Sequence, residues 1–103
     1  AEVLEGHLSS AMCHTGNIAH QLGDQKTANE IRDEVSGHPA FADSFERLAV
    51  HLDANEVDVD AAALTFGARL TMDPETERFT NHDEADRLLT REYRQPFVVP
   101  KIA

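Results

Sequence analysis

Residues 11–23, AMCHTGNIAHQLG, crowd reactive groups into one short stretch: the thiol of Cys13, the thioether of Met12, the imidazoles of His14 and His20, the amide of Asn17, and Gly16 and Gly23. Each chemistry they could serve makes a demand on spacing. Covalent haem attachment needs Cys-x-x-Cys-His, and Met12-Cys13-His14 is one cysteine short. Zinc needs about four ligands in tetrahedral range. On a helix His7 and His14 share a face but stand roughly 10 Å apart along the axis, too far to share an ion. His14 and His20 point to different sides. A nucleophilic cysteine needs a base and an oxyanion site. His14 follows Cys13 directly, which on a helix turns it about 100° away. A buried, inert thiol is the expectation. A phosphate cradle needs a strand, a glycine turn and then a helix. No strand leads into these glycines, so Gly16 reads as a close-packing position within a helix.

Two acidic groupings lie elsewhere. Asn55, Glu56, Asp58 and Asp60 suggest a calcium loop. Counting from Asp53, Asn55 suits the third position, but Val57 occupies the fifth, no glycine follows and Leu64 falls at the twelfth. A solvated loop is expected. Asp73 and Glu75 could form an acid–base pair, yet turn chemistry accounts for Asp73 fully. Residue spacing therefore assigns no catalytic, cofactor-binding or metal-ligating residue. A metal-binding protein built on the six histidines is the weakest of the alternative readings.

The elements that must position these groups follow from periodicity. Leu4, Leu8, Ala11, Met12, Thr15, Ile18, Ala19 and Leu22 recur at the spacing of one helical face, with Gly23 at the position of a C-cap glycine. Gly6 and Gly16 weaken this helix, each by about 1 kcal/mol relative to alanine, so it is expected to be firm only from about residue 7. Thr27 and Glu30 form a capping-box pair. The helix they open carries an apolar stripe of Ala28, Ile31 and Val35, stops at Gly37 before Pro39, and is expected at the surface. Phe41, Phe45, Leu48 and Leu52 mark a third helix, with Asp43 and Glu46 in its first turns and Asn55 as its stop. The period then changes to two: Leu64, Phe66, Ala68, Leu70 and Met72 alternate with Thr65, Gly67, Arg69 and Thr71. Asp73-Pro74-Glu75-Thr76 suits a type I turn, and residues 77–80 return as a second strand. The hairpin's apolar face is expected to hold Leu70, Met72 and Phe79. Asn81, with Glu84 at the capping-box position, opens a fourth helix with Ala85, Leu88 and Leu89 inward. Pro96 and Pro100 keep the tail extended, and its Tyr93, Phe97, Val98 and Val99 are apolar enough to require a docking surface.

The whole is an α+β chain: three to four helices with a small antiparallel β-hairpin and an extended C-terminal tail. Its 103 residues suit a single domain, residues 1–103. Nine basic and nineteen acidic residues leave a net charge of −10, which repels phosphate backbones and anionic membranes. Lone Cys13 excludes an internal disulfide framework. No apolar run approaches the roughly 20 residues of a membrane span. Ala1 is not an initiator Met, so the chain is expected to be a fragment or a processed product, with any leader outside it.

Two stretches, CHTGNIAHQLG and LTFGARLTMDPETERFTNHDEADRLLTREYRQPFVVP, together resemble the C-terminal end of bacterial oxidoreductases of the Gfo/Idh/MocA family, the relatives of glucose–fructose oxidoreductase and inositol dehydrogenase. In that group a helix of type CHLGNIA-x-x-LG precedes a strand ending in LT-x-DP-x-TE-x-F, an acidic DEA-x-x-LL helix and a YR-x-PF-x-V tail. The middle SFERLAVHLDANEVDVD resembles the intervening helix and loop, so the likeness covers roughly residues 8–100. It implies a parent enzyme with an N-terminal Rossmann domain, NAD(P) as cofactor, a Lys near the nicotinamide in a Glu-Lys-Pro setting, and sugar or polyol substrates. Little of this carries over. The chain has no Gly-x-Gly-x-x-Gly, Glu-Lys-Pro or Asp-x-x-x-His, and Lys26 and Lys101 stand in other settings. What does carry over is a scaffold signature: His14, Gly16, Asn17, Gly23, Asp73, Pro74, Glu77, Phe79 and Pro96. The resemblance implies a non-catalytic segment bracing the substrate domain, partnered by the rest of the parent or by another copy, with His14 and Asn17 as substrate-cleft candidates in an intact parent. The alternative is a self-standing dimerisation or adaptor module without enzymatic activity.

Overall fold

The computed structural model of the chain describes residues 2–61 and 64–100. Lys101, at the end of the tail, lies outside them. The described residues form four helices and two two-stranded antiparallel sheets, an α+β architecture. In chain order these are α1 (Val3–Gln21), β1 (Asp24–Lys26), α2 (Ala28–Val35), α3 (Pro39–Ala54), β2 (Leu64–Phe66), β3 (Met72–Asp73), β4 (Arg78–Phe79) and α4 (Asp83–Arg87). The chain divides into two compact units, one made of Ala1–Ala19 with Arg69–Ala103, the other of His20–Ala68.

The unit His20–Ala68 holds a contiguous core. Its capping box forms as the sequence demands: the Glu30 amide donates to the Thr27 hydroxyl at 3.2 Å and the Thr27 amide to the Glu30 carboxylate at 2.7 Å. The stripe of α2 is not superficial. Ala28, Ile31 and Val35 are buried and pack with Phe45, Ala49 and Val59, because a short helix can bury a three-residue stripe while its polar majority stays wet. The face of α3 is likewise rotated from expectation. Phe45 and Ala49 are buried, whereas Phe41 and Leu48 are about half exposed. Phe41 instead stacks on Phe66, ring centroids 5.9 Å apart. Helix α3 begins with Pro39 in its first turn and ends in a Schellman motif. Asn55 caps it, Glu56 takes the left-handed position at φ 63°, and the amides of Glu56 and Val57 donate to the carbonyls of Asp53 and Leu52.

The alternating run 64–72 does not form one strand. Leu64–Phe66 belongs to one sheet and Met72 already to the other, with residues 67–71 in neither; Leu64–Phe66 pairs with β1, matching Asp24 to Phe66, Gln25 to Thr65 and Lys26 to Leu64. Asp-Gln-Lys has no apolar alternation, so its sequence carries no strand signal; its partner supplies the ladder. Gly23 does not adopt the left-handed C-cap conformation. A side chain there would place its Cβ 2.4 Å from the Phe66 carbonyl oxygen. The glycine is thus explained by close approach of two backbones.

In the unit Ala1–Ala19 with Arg69–Ala103, β3 and β4 form the hairpin expected around Asp73-Pro74-Glu75-Thr76, pairing Met72 with Phe79 and Asp73 with Arg78. Phe79 is buried and Met72 and Leu70 half-buried. Helix α4 is capped one residue later than expected, by His82, whose Nδ1 accepts the Ala85 amide at 3.2 Å. Asn81 instead ties the chain before β3, accepting from the Thr71 amide at 2.8 Å and donating to the Arg69 carbonyl at 3.0 Å. Two bonds across the hairpin outweigh one cap bond. Ala85 is buried, but Leu88 is 41% exposed and Leu89 half-buried. Helix α1 starts at Val3, before the expected onset. Gly16 has nothing within 4 Å of a Cβ position, so close packing does not explain it. Phe97 and Val99 are 70% and 62% exposed; the tail does not find its docking surface among the described residues.

Candidate functional site

Helix α1 carries the stretch richest in reactive groups. Cys13 is exposed, against the expectation of a buried thiol, because the apolar stripe of α1 runs along Ala11, Thr15 and Ile18 and leaves position 13 outside it. His14 and Asn17, three apart and so on one helical face, are both exposed. No side-chain hydrogen bond joins them to another described residue.

His7 behaves differently. Its Nε2 lies 2.8 and 2.9 Å from the two carboxylate oxygens of Glu77, seventy residues away in sequence. Glu77 itself sits in the left-handed region at φ 54°, where its amide closes the turn on the Asp73 carbonyl at 2.8 Å. Spacing weighed His7 only as a metal ligand. Nothing local could have paired it with a carboxylate that distant.

Asp73 organises the same turn. One carboxylate oxygen accepts the Glu75 amide and the other the Thr76 hydroxyl, both at 2.9 Å. These bonds, the Glu75 amide first, hold the Asp73 carboxyl below its ordinary range. A carboxylate so occupied is a turn-former and a poor general base. Arg78 pairs with Asp86, whose other oxygen accepts the Phe79 amide at 3.0 Å, fixing β4 to α4.

The remaining charged groups tie α2 to β1 and to α3. Lys26 Nζ donates to Glu34 at 2.9 Å, and that bond raises the Lys26 pKa. Proton abstraction by lysine requires the opposite shift, so Lys26 is an ion-pair partner. Glu30 is held acidic by its bonds from Thr27. Arg32 pairs with Glu46 at 2.7 Å, which raises its pKa, and lies 5.7 Å over the Phe45 ring. Asp58 accepts the Asp60 and Ala61 amides, a turn within the acidic loop. Among the described residues no group of three or more His, Cys, Asp and Glu side chains is arranged to hold a metal ion, and no helix is long and apolar enough to cross a membrane.

The class defined at this level is an α+β protein whose polar side chains cap helices, close turns and pair on the surface. Comparison with protein families, with curated proteins and with solved structures finds no match.

Proposed function

We propose that the chain is a non-catalytic C-terminal segment of an NAD(P)-dependent sugar or polyol oxidoreductase of the Gfo/Idh/MocA type, bracing its substrate domain. The observation that supports this reading is what the signature residues do. Asp73 closes a turn, Glu77 occupies the strained turn position and holds His7, Gly23 admits the Phe66 backbone and Phe79 is buried. Each shapes backbone or packing. The chain's own residues do not fit a dinucleotide. The bare α-carbon of Gly23 faces the Phe66 carbonyl, which would repel a phosphate, and among the described residues no glycine turn joins a strand to a helix N-terminus. On this reading NAD(P) is held by the parent's N-terminal domain. In that parent the exposed His14 and Asn17 would be the residues able to reach a substrate cleft.

Two measurements test the reading. The reading frame upstream of Ala1 should encode a glycine-rich βαβ unit, and a frame that opens immediately before Ala1 reduces the resemblance to ancestry. Titration of this chain against NADH, followed by fluorescence, should show no saturable change, whereas saturation at micromolar concentration contradicts it. A second reading, a self-standing interaction module, is favoured by the exposed tail residues Phe97 and Val99. Light scattering discriminates, since a monomer independent of concentration counts against it.

A further inference from the structure

Helix α1 is covered at one end only. Along a single stripe, Ile18 is buried, Thr15 and Ala11 are half-buried, Leu8 is 51% exposed and Leu4 64% exposed. Met12, at the stripe's margin, is 77% exposed. The apolar face thus continues past the point where this chain stops covering it, and single exposed leucines would not form such a run. The surroundings of that face are acidic: residues 2–19 contain Glu2 and Glu5 and no lysine or arginine.

The tail has the opposite character. Residues 87–100 carry three arginines, Arg87, Arg91 and Arg94, against one acid, Glu92, a local charge of +2 in a chain of −10. Its apolar groups are exposed, Phe97 at 70%, Val98 at 45% and Val99 at 62%. Arg94 lies 5.4 Å over the Phe97 ring, so one cation and one aromatic group form a single feature. Apolar groups flanked by arginine match apolar groups flanked by glutamate. Both surfaces remain exposed in the folded chain, so the tail does not satisfy its own helix.

We infer that the tail of one copy docks on the uncovered half of α1 of a second copy, and that the exchange is reciprocal about a two-fold axis. Reciprocity follows from chemistry. Each copy carries one acidic apolar helix face and one basic apolar tail, and a two-fold axis uses both of each. It also doubles the contact, bringing two short segments toward the roughly 1,200 Å² of total burial where specific interfaces begin. Arg91 and Arg94 would face Glu2 and Glu5, setting register and rejecting the like-charged remainder of the surface. The inference rests on the interaction-module reading and gives it a partner, a second copy of this chain.

Sedimentation velocity on the full chain over roughly 5–500 µM tests it. A reversible dimer is expected, weakened by salt because its charge pairs are at the rim. Phe97→Asp and Leu8→Asp should each weaken dimerisation at least ~30-fold, the effect of removing a central anchor. Glu5→Lys and Arg94→Glu should each weaken it several-fold, and the two together should recover most of the loss. All four positions are exposed, and an unchanged far-ultraviolet spectrum shows that each variant folds. A monomer throughout overturns this inference and the interaction-module reading together. A dimer indifferent to Phe97→Asp and Leu8→Asp, or one that the double exchange does not restore, overturns the tail-on-helix docking and leaves self-association standing.

Discussion

The two units of this chain solve the same problem unequally. His20–Ala68 buries Ala28, Ile31, Val35, Phe45, Ala49 and Val59 against one another, with Leu64 and Phe66 at the margin. The other unit buries only Ile18, Phe79 and Ala85 among its described residues, and leaves Leu4, Leu8, Phe97 and Val99 in water. Similar composition therefore gives a packed region and an under-covered one. The difference lies in how the apolar residues are presented. In the first unit two helices and a strand bring their stripes to one place. In the second a long helix offers a stripe that a two-residue-per-strand hairpin and a five-residue helix are too short to cover.

The sharpest way to break the contrast is to cut into the packed core. Phe45→Ala should cost about 3–5 kcal/mol and Ile31→Ala about 2–4 kcal/mol in denaturant unfolding. A loss under 1 kcal/mol from either would mean that the core is not the stable element. Gly23→Ala comes next, at about 2 kcal/mol, because its Cβ meets a backbone oxygen that can move only by breaking the β1–β2 ladder; thermal denaturation gives the value. Two substitutions should raise stability. Gly16→Ala replaces a glycine in an exposed helix interior with open space around it, a gain of about 0.5–1 kcal/mol. Glu56→Gly relieves a side chain held at positive φ, a gain of about 1 kcal/mol. A melting point lowered by either would refute the local geometry.

Asp73 gives a pH test of the thinner unit. Its folded pKa is lowered by the Glu75 amide and the Thr76 hydroxyl, so the unfolded chain takes up its proton first as pH falls. The contribution is present above its ordinary value of 3.8 and disappears as acid titrates the folded carboxyl. Glu30, lowered by its bonds from Thr27, acts in the same sense from 4.5 downward in the packed unit. Stability measured from pH 5 to 2 should fall less steeply in Asp73→Asn and in Glu30→Gln than in the parent chain. The smallest effect is expected from Leu8→Ser, within about 0.5 kcal/mol for the isolated chain at low concentration, where the residue has no partner to lose.

Local signals were legible wherever a residue acts on its own neighbours. The Thr27–Glu30 box, the Asn55 stop of α3 and the Asp73 turn involve partners within a few positions, so a sequence window contains the whole interaction. Local signals fail where the partner is distant. Asn81 stands where a cap for α4 belongs but bonds back to Arg69 and Thr71. Gly23 stands where a helix cap belongs but is required by the Phe66 carbonyl. The polar strand β1 had no signature because its extended shape is imposed by β2. The candidate site followed the same rule. Spacing argued against shared ligation by His7 and His14, but it could not see the His7–Glu77 pair, and it buried Cys13 because helical periodicity cannot say how far a covering surface extends.

By itself, then, the amino-acid sequence determined the α+β class, the helices with the Thr27–Glu30 box of α2 and the Asn55 stop of α3, and the turn at Asp73, since hydrogen bonding and rotational period act over a few residues. Only the tertiary structure decided which strands pair, which glycine is forced by a neighbouring backbone, and which half of α1 is left bare. Those outcomes depend on surfaces brought together across tens of residues, and burial is a property of the meeting and not of either segment alone.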